Sequence, residues 1–196
     1  LTTIKRENKR LIQLVADLLL LARMDRKAIP LRRELFCLND LVSDLVEELE
    51  PLAIANQITL TAEFKVKKSL NVSGDCDQLY RLVYNLIVNA IQHTSSNGRV
   101  TVILERDASD ALIKVKDTGI GIAPEHQKHI FDRFYRVQSD RSRSTGGSGL
   151  GLAIAQSIAR SHSCKLSVSS ELGKGSTFIF QLPLALNSRD KKRLIP

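Results

Sequence analysis

Apolar positions in the first part of the chain follow a helical heptad. Over residues 1 to about 25 they recur at alternating steps of four and three. Further leucines and an isoleucine widen this seam on both sides, so the apolar face is broader than one partner helix covers. The pattern predicts one long helix of a helical bundle or coiled coil. The seam residues are Ile4, Asn8, Leu11, Val15, Leu18 and Ala22.

After Pro30 a second pattern mixes short strands with helices. Alternating apolar residues predict strands at 35–38, 58–64, 100–106 and 111–117, and a closing hairpin from 165–170 and 177–182. Helical spacing predicts one helix capped by Asn39, a long one capped by Asp75 and ending near His93, a patch near 127–134, and one at 150–161. This order predicts an α+β fold, a two-layer α/β sandwich preceded by the long helix.

Composition narrows the class of protein. With 43% apolar and 26% charged residues, the chain has the balance of a folded domain. It contains no apolar stretch of the roughly 20 residues that a membrane span needs, and its polar start predicts no signal peptide.

Because the first residue is not Met, we expect a fragment of a longer protein. The three cysteines, Cys37, Cys76 and Cys164, lack the spacing of a disulfide framework or a zinc site, which predicts a cytoplasmic location.

The formal net charge of +8 is compatible with nucleic acid, anionic lipid, a polyanionic ligand or a solvated basic surface. Composition alone does not choose among these. Since the sequence contains no nucleic-acid recognition motif and no aromatic-basic platform, we expect no nucleic-acid partner.

The predicted long helix after Asp75 carries a polar stripe beside its apolar face. Asn85, Asn89 and Gln92 recur at helical spacing. Amide oxygens are neutral ligands that suit Mg²⁺ beside phosphate, because they add no negative charge. Alternatively, these amides only hydrogen-bond a neighbouring loop.

The segment D-T-G-I-G-I at 117–122 lies where a predicted strand ends. Its glycines allow the backbone to approach a flat ligand, and the Asp117 carboxylate can accept a hydrogen bond from an exocyclic amine such as that of adenine. The same three letters, D-T-G, also occur in ordinary turns and in aspartic proteases. An aspartic protease needs two such aspartates in an all-β context, and only one is present.

A glycine-rich run at 146–152 leads directly into a predicted helix. Free N–H groups and the partial positive charge of a helix N-terminus favour phosphate binding there. The spacing of Gly147, Gly149 and Gly151 matches neither a dinucleotide fingerprint nor a P-loop, and a flexible hinge is the alternative.

Between these two glycine segments the sequence has the composition of a mobile lid. Phe131 and Phe134 are expected to anchor it to the core, although both could equally be ordinary core residues. Arg136, Arg141 and Arg143 could reach phosphate. His126 and His129 in the same region are interpreted as solvated.

The order and spacing of these segments resemble the N, G1, F and G2 boxes of sensor histidine kinases. The matching segments are N-L-I-V-N-A at 85–90, D-T-G-I-G-I at 117–122, I-F-D-R-F-Y-R at 130–136 and G-S-G-L-G-L at 147–152. The G-K-G-S-T-F segment at 173–178 resembles the one that closes the ATP-binding domain of this family, and R-M-D at 23–25 resembles the second helix of its dimerisation and phosphotransfer domain. The resemblance covers about residues 35–184.

The resemblance implies a Bergerat-type sandwich that binds ATP with Mg²⁺. Asp117 would accept from the adenine amino group, and Asn89, assisted by Asn85, would hold the metal. Arg136 would neutralise charge at the γ-phosphate, and with Asn85 it is the catalytic residue implied within this chain. The other implied nucleotide-binding residues are Gln92, His93, Gly119, Gly121, Ile122, Tyr135, Gly147, Gly149, Leu150, Gly151, Leu152 and, through water, Thr177.

The sequence departs from this family in two places. Gln92 stands where members often have Lys, which puts one phosphate contact in doubt. None of the four histidines (His93, His126, His129, His162) lies in the His-acid-Leu-Arg sequence that the family phosphorylates. The phosphoacceptor histidine is therefore expected outside this chain.

The resemblance implies a histidine kinase fragment with four parts: part of the dimerisation domain at 1–26, a linker at 27–33, the ATP-binding catalytic domain at 34–185 and a basic tail at 186–196. Its expected partners are ATP, the receiver domain of a response regulator, and a second copy that pairs through the N-terminal helix. Two alternatives remain: another ATPase of the same superfamily, such as a serine kinase or a gyrase-like or chaperone-like enzyme, and a non-enzymatic nucleotide-sensing module.

Overall fold

The computed structural model describes residues 2–26, 30–137 and 148–185. Residues 30–33 of the predicted linker have no regular secondary structure, and the predicted tail at 186–196 lies outside the described residues. In chain order the elements are α1 (Thr2–Asp25), β1 (Glu34–Cys37), α2 (Leu38–Ala55), β2 (Thr59–Lys65), β3 (Asn71–Gly74), α3 (Cys76–His93), β4 (Arg99–Asp107), β5 (Asp110–Asp117), α4 (Pro124–Gln127), α5 (Gly151–Ser161), β6 (Lys165–Glu171) and β7 (Gly175–Pro183).

A five-stranded sheet in the order β2-β4-β5-β7-β6 forms one layer of the structure. Strands β2 and β4 are parallel, and the other neighbours are antiparallel. Helices α2, α3 and α5 form the second layer, and β1 pairs separately with β3. This arrangement confirms the predicted α+β sandwich. Alternate residues on the inner face of the sheet are buried, namely Val100, Val102, Leu104, Ala111, Ile113, Val115, Phe178, Phe180 and Leu182.

Helix α3 begins and packs as its sequence predicts. The Asp75 side chain caps it by accepting a hydrogen bond from the backbone N–H of Gln78 at 3.1 Å. The predicted core face is confirmed, since each of its residues is at most 1% exposed. These residues are Leu79, Leu82, Val83, Leu86, Ile87 and Ala90.

The prediction that Asn39 caps α2 is wrong. Helix α2 already begins at Leu38, and its N-cap residue, Cys37, makes no side-chain capping bond. The Asn39 side chain instead accepts a hydrogen bond from the backbone N–H of Leu70, 31 residues later in the chain. A distant loop therefore uses the acceptor that the local pattern had assigned to the helix end.

Two further elements differ from the predictions. In place of the helical patch expected at 127–134, the structure has the short helix α4 at Pro124–Gln127. The helix can begin at Pro124 because an N–H in the first turn has no partner within the helix, so its absence in proline loses no hydrogen bond. Strand β3 was not predicted, because its sequence N-V-S-G has only one apolar residue. It forms by pairing with β1.

Helix α1 spans Thr2–Asp25, and its apolar residues are divided between two environments. Leu21 is 1% exposed and belongs to the main hydrophobic core, where α1 contacts α5. Leu11, Ile12, Val15 and Leu19 are each more than half exposed. The assignment of α1 to a helical bundle stays a prediction.

Among the described residues, no helix has the length and hydropathy needed to cross a membrane.

His162, at the C-terminal end of α5, joins that helix to the start of α3. Its Nε2 accepts the backbone N–H of Asp75 at 3.1 Å, and its Nδ1 lies 2.9 Å from the carbonyl oxygen of Ile158. Because Nε2 is an acceptor, the proton is on Nδ1 and the ring is neutral. Burial lowers the pKa of His162, and the bond to Ile158 opposes part of that effect.

We expect this histidine to make the protein less stable in mild acid. A lowered pKa in the folded state means that the unfolded chain binds the proton more readily below the ordinary value of 6.5. The stabilising effect of His162 is therefore complete above that pH and decreases as the pH falls below it. Urea unfolding at about pH 7.5 and about pH 5.5 measures the loss. His162→Gln, whose amide oxygen can accept the same N–H, should lose less stability between the two pH values; an equal loss would contradict this role.

Candidate functional site

A cavity of about 1280 Å³ opens between α3, the start of α5 and the segment that follows β5. Most of the residues implied by the resemblance lie on its wall. They are Asn85, Asn89, Gln92, His93, Asp117, Gly121, Ile122, Tyr135, Arg136, Gly149, Gly151 and Leu152. Gly119, Leu150 and Thr177 do not line it, and Gly147, Arg141 and Arg143 lie outside the described residues.

Asp117 is the last residue of β5 and is buried at the cavity wall. Its Oδ1 accepts backbone N–H groups from Gly119 at 2.8 Å and Ser176 at 3.1 Å. Burial raises the pKa of the Asp117 carboxyl, and these two donors oppose part of the rise. Both bonds use Oδ1 and neither uses Oδ2. Such a carboxylate is held in one orientation with an oxygen left for a ligand.

Two glycines bring the backbone close to Asp117 and α3. A Cβ on Gly119 would lie 2.2 Å from the carbonyl oxygen of His93, and one on Gly175 would lie 2.2 Å from that of Asp117. The N–H of Ile120 donates to the same His93 carbonyl at 3.2 Å. Gly119 thus acts on the site through close backbone packing, although it does not line the cavity.

The amide stripe of α3 faces the cavity. Asn85 and Asn89 are half-buried, and Nδ2 of Asn85 is buried with no hydrogen-bond partner in the described part of the chain. Amide nitrogen and oxygen exchange places by a half-turn of the group, so this position can also present an oxygen. A Cβ on Gly151 would lie 3.3 Å from Oδ1 of Asn85, so glycine keeps the start of α5 close to it.

The donor set fits a hard cation beside phosphate. Among the residues that the structure describes, no group of three His, Cys, Asp or Glu side chains could hold a metal ion. The cavity instead offers neutral amides on α3 opposite the N-terminus of α5. Mg²⁺ bound with phosphate oxygens and waters needs few protein ligands, so the amides match its chemistry.

Of the two residues predicted to anchor the segment after α4, only Phe131 packs against the core. The Phe131 ring packs edge-on against that of Phe178, with centroids 6.3 Å apart. Phe134 is 58% exposed with φ +62°, so its prediction as an anchor is wrong. Its backbone N–H donates to the carbonyl of Gly149 at 3.0 Å, and this bond joins the two sides of the lid region.

The interpretation of His126 as a solvated side chain is also wrong. His126 is half-buried, and its Nδ1 lies 2.8 Å from the hydroxyl of Tyr135. Both side chains line the cavity next to Arg136, which is exposed at its edge. His129 is exposed as expected and pairs with Asp132 at 2.9 Å.

Thr177 is predicted to contact the adenine through water, but it does not line the cavity, whereas its neighbour Ser176 does. Successive side chains of a strand point to opposite faces, so Thr177 lies on the outer face of the sheet opposite Lys116. Ser176 lines the cavity and is 6% exposed. The alternation with Phe178 and Phe180 was visible in the sequence and could have identified Ser176.

The sequence also did not indicate that α1 contributes to this cavity. Gln13, Leu14, Ala16 and Asp17 line it, together with Arg81 of α3. The Arg81 guanidinium contacts the Asp17 carboxylate at 2.5 Å, across 64 positions of sequence. No local pattern encodes such a contact.

Comparison with known proteins agrees with this geometry. Residues 74–186 match the family described as histidine kinase-, DNA gyrase B-, and HSP90-like ATPase. This range contains α3 and the sheet strands β4 to β7, and so most of the cavity wall.

Individual relatives are sensor histidine kinases. The chain is 54% identical over 184 residues to the sensor histidine kinase RppB of Synechocystis sp., covering 94% of this chain and 40% of RppB. Full-length ShkA in complex with AMPPNP superposes with a TM-score of 0.84 at 27% identity, over 95% of this chain and 38% of ShkA. Histidine kinase ThkA in complex with the response regulator TrrA shares the fold, with a TM-score of 0.73 at 24% identity over 93% of this chain and 50% of ThkA.

The chain thus spans less than half the length of RppB. The matched family, the kinase relatives and the cavity formed by α3, β5 and α5 agree. The chain belongs to the histidine kinase-, DNA gyrase B-, and HSP90-like ATPase family, and over most of its length it is similar to sensor histidine kinases.

Proposed function

We propose that this chain supplies the ATP-binding half of a protein histidine kinase reaction. The single observation that carries the proposal is the cavity whose wall contains the buried, oriented Asp117 and the α3 amides Asn85 and Asn89, with Asn85 next to the N-terminus of α5. This arrangement offers a carboxylate for an adenine amine at one end and neutral ligands near phosphate at the other. The AMPPNP bound in ShkA supports ATP as the ligand.

Each residue has a role in this proposal. Asp117 accepts from the adenine amine, and the backbone at Gly149 and Gly151 donates to phosphate oxygens at the helix N-terminus. Asn89, assisted by Asn85, would hold Mg²⁺, which when bound would offset negative charge on the phosphate oxygens. Arg136 neutralises charge at the γ-phosphate. Gln92, His93 and Tyr135 complete the wall.

The transfer itself needs a group from outside the described residues. A histidine nitrogen bonds to the γ-phosphorus while the bond from that phosphorus to the β–γ bridging oxygen breaks, and ADP leaves. The phosphoryl group then passes to an aspartate of a response-regulator receiver domain; the complex of ThkA with TrrA supports this partner. We further propose that residues 1–26 belong to the dimerisation domain, that 34–185 form the catalytic domain, and that the intact protein is a homodimer.

The test combines this chain with a separate polypeptide that supplies a complete helical hairpin with its histidine. The mixture should form a phosphoprotein that acid hydrolyses and alkali preserves. Acid-stable label would indicate a serine kinase, and nucleotide binding without any transfer would indicate a sensing module. Both results would overturn the proposal.

A further inference from the structure

Arg81 lies at the end of the cavity that is farthest from Asp117 along α3. Residues 81, 85, 89 and 93 follow one another at four-residue steps, and all four line the cavity. Each step is about 6 Å along the helix. His93 and Asp117 mark the end assigned to the adenine, so Arg81 is one turn beyond Asn85 on the side of the terminal phosphates. It is one of the two arginines among the described lining residues, with Arg136.

A carboxylate from α1 holds this guanidinium. The Asp17 side chain is 11% exposed, contacts Arg81 at 2.5 Å and also accepts from Nε2 of Gln13 at 2.9 Å. Asp17 and Gln13 line the same cavity. The guanidinium of Arg81, at the phosphate end of the cavity, is therefore already paired with the Asp17 carboxylate of α1.

We propose that Arg81 binds the terminal phosphates of the nucleotide and that Asp17 competes for it, so that nucleotide binding and docking of α1 oppose each other. The inference rests on the proposed function and adds a residue and a coupling to it. A carboxylate and a triphosphate have charge of the same sign, and a buried carboxylate is poorly screened from its neighbours. Removing the carboxylate frees the guanidinium and removes the repulsion, and both effects favour nucleotide.

A second ion pair of α1 provides a matched control. Asp25 accepts two hydrogen bonds from Arg133, at 2.6 Å and 2.7 Å, and both side chains are about half-exposed. Arg133 does not line the cavity. This pair joins α1 to the catalytic domain without touching the site. Because both side chains are about half-exposed, its loss weakens the docking of α1 only slightly and leaves Arg81 paired with Asp17.

Calorimetric titration with AMPPNP tests the proposal on the whole chain. Asp17→Asn should bind about five- to tenfold more tightly than the unaltered chain, and Asp25→Asn should stay within about twofold of it. Unchanged or weaker binding by Asp17→Asn, or an equal gain in both variants, would overturn the competition. No binding by the unaltered chain would instead refute the proposed function, which separates the two failures.

A second variant keeps the inference testable if Asp17→Asn does not fold. Arg81→Gln should weaken AMPPNP binding about fivefold or more and ADP binding much less, because ADP lacks the terminal phosphate. Equal losses for the two nucleotides would mean that Arg81 has only a structural role. Hydrogen exchange gives the reciprocal readout: AMPPNP should speed exchange of the amides at 13–21 in the unaltered chain. Slower or unchanged exchange there would overturn the competition.

Discussion

Replacing Asp117 by Asn is expected to lower nucleotide affinity about 100-fold, equivalent to about 3 kcal/mol, while the fold is retained. The substitution is nearly isosteric, and the remaining Oδ1 can still accept the N–H groups of Gly119 and Ser176. The second oxygen becomes an NH₂ group, which cannot accept from an adenine amine. A buried donor would then face the donor of the ligand.

Calorimetry with AMPPNP measures the effect, and circular dichroism checks the fold. The matched control is Asp110→Asn at the other end of β5, where the carboxylate accepts a hydrogen bond from Gln181 at 2.6 Å. That variant should bind nucleotide normally. If Asp117→Asn retained the affinity of the unaltered chain, Asp117 would not be the residue that recognises adenine.

Replacing Gly121 by Ala is expected to destabilise the protein by about 2–4 kcal/mol. Gly121 has φ +69°, a conformation that L side chains rarely adopt, and a Cβ there would lie 2.0 Å from the carbonyl oxygen of Glu171. This neighbour is backbone of the β6 end, so it can move only if the strand end moves. The substitution thus adds a steric clash to the conformational strain.

Gly173 separates these two effects. It has φ +81°, and a Cβ there would meet nothing within 4 Å, so Gly173→Ala has the strain without the clash. We expect it to cost only about 1 kcal/mol. Urea unfolding of both variants gives the difference in free energy of unfolding. Equal losses of unfolding free energy in the two variants would mean that the backbone around Gly121 shifts to accommodate the Cβ, so that the close contact with Glu171 does not affect stability.

Much of the fold was predictable because its signals are local. The Asp75 cap, the core face of α3 and the hairpin of β6 and β7 each depend on residues within a few positions of one another. The predictions failed where a local signal was weak or had a competitor. Strand β3 has one apolar residue and needs β1 to form, and the Asn39 acceptor is used by the distant Leu70.

In the candidate site, too, some features were predictable from local sequence and others depended on tertiary structure. Its motif residues were identifiable in sequence because the order and spacing of the amide, glycine-rich and aromatic segments resemble those of a known family. Which residue of a motif faces the cavity depends on tertiary structure. Ser176 rather than Thr177 lines the cavity, since the strand register decides which side chain faces inward.

The sequence by itself determined the type of fold, because periodicity and turn residues act over short distances along the chain, and its resemblance to a known family indicated the chemistry of the candidate site. Only the tertiary structure decided that α1 forms part of the cavity wall and that Asp17 holds Arg81 there. The two residues are 64 positions apart, and their contact exists only because α1 docks beside α3 and α5. Such a contact depends on how whole elements pack together, which no short stretch of sequence specifies.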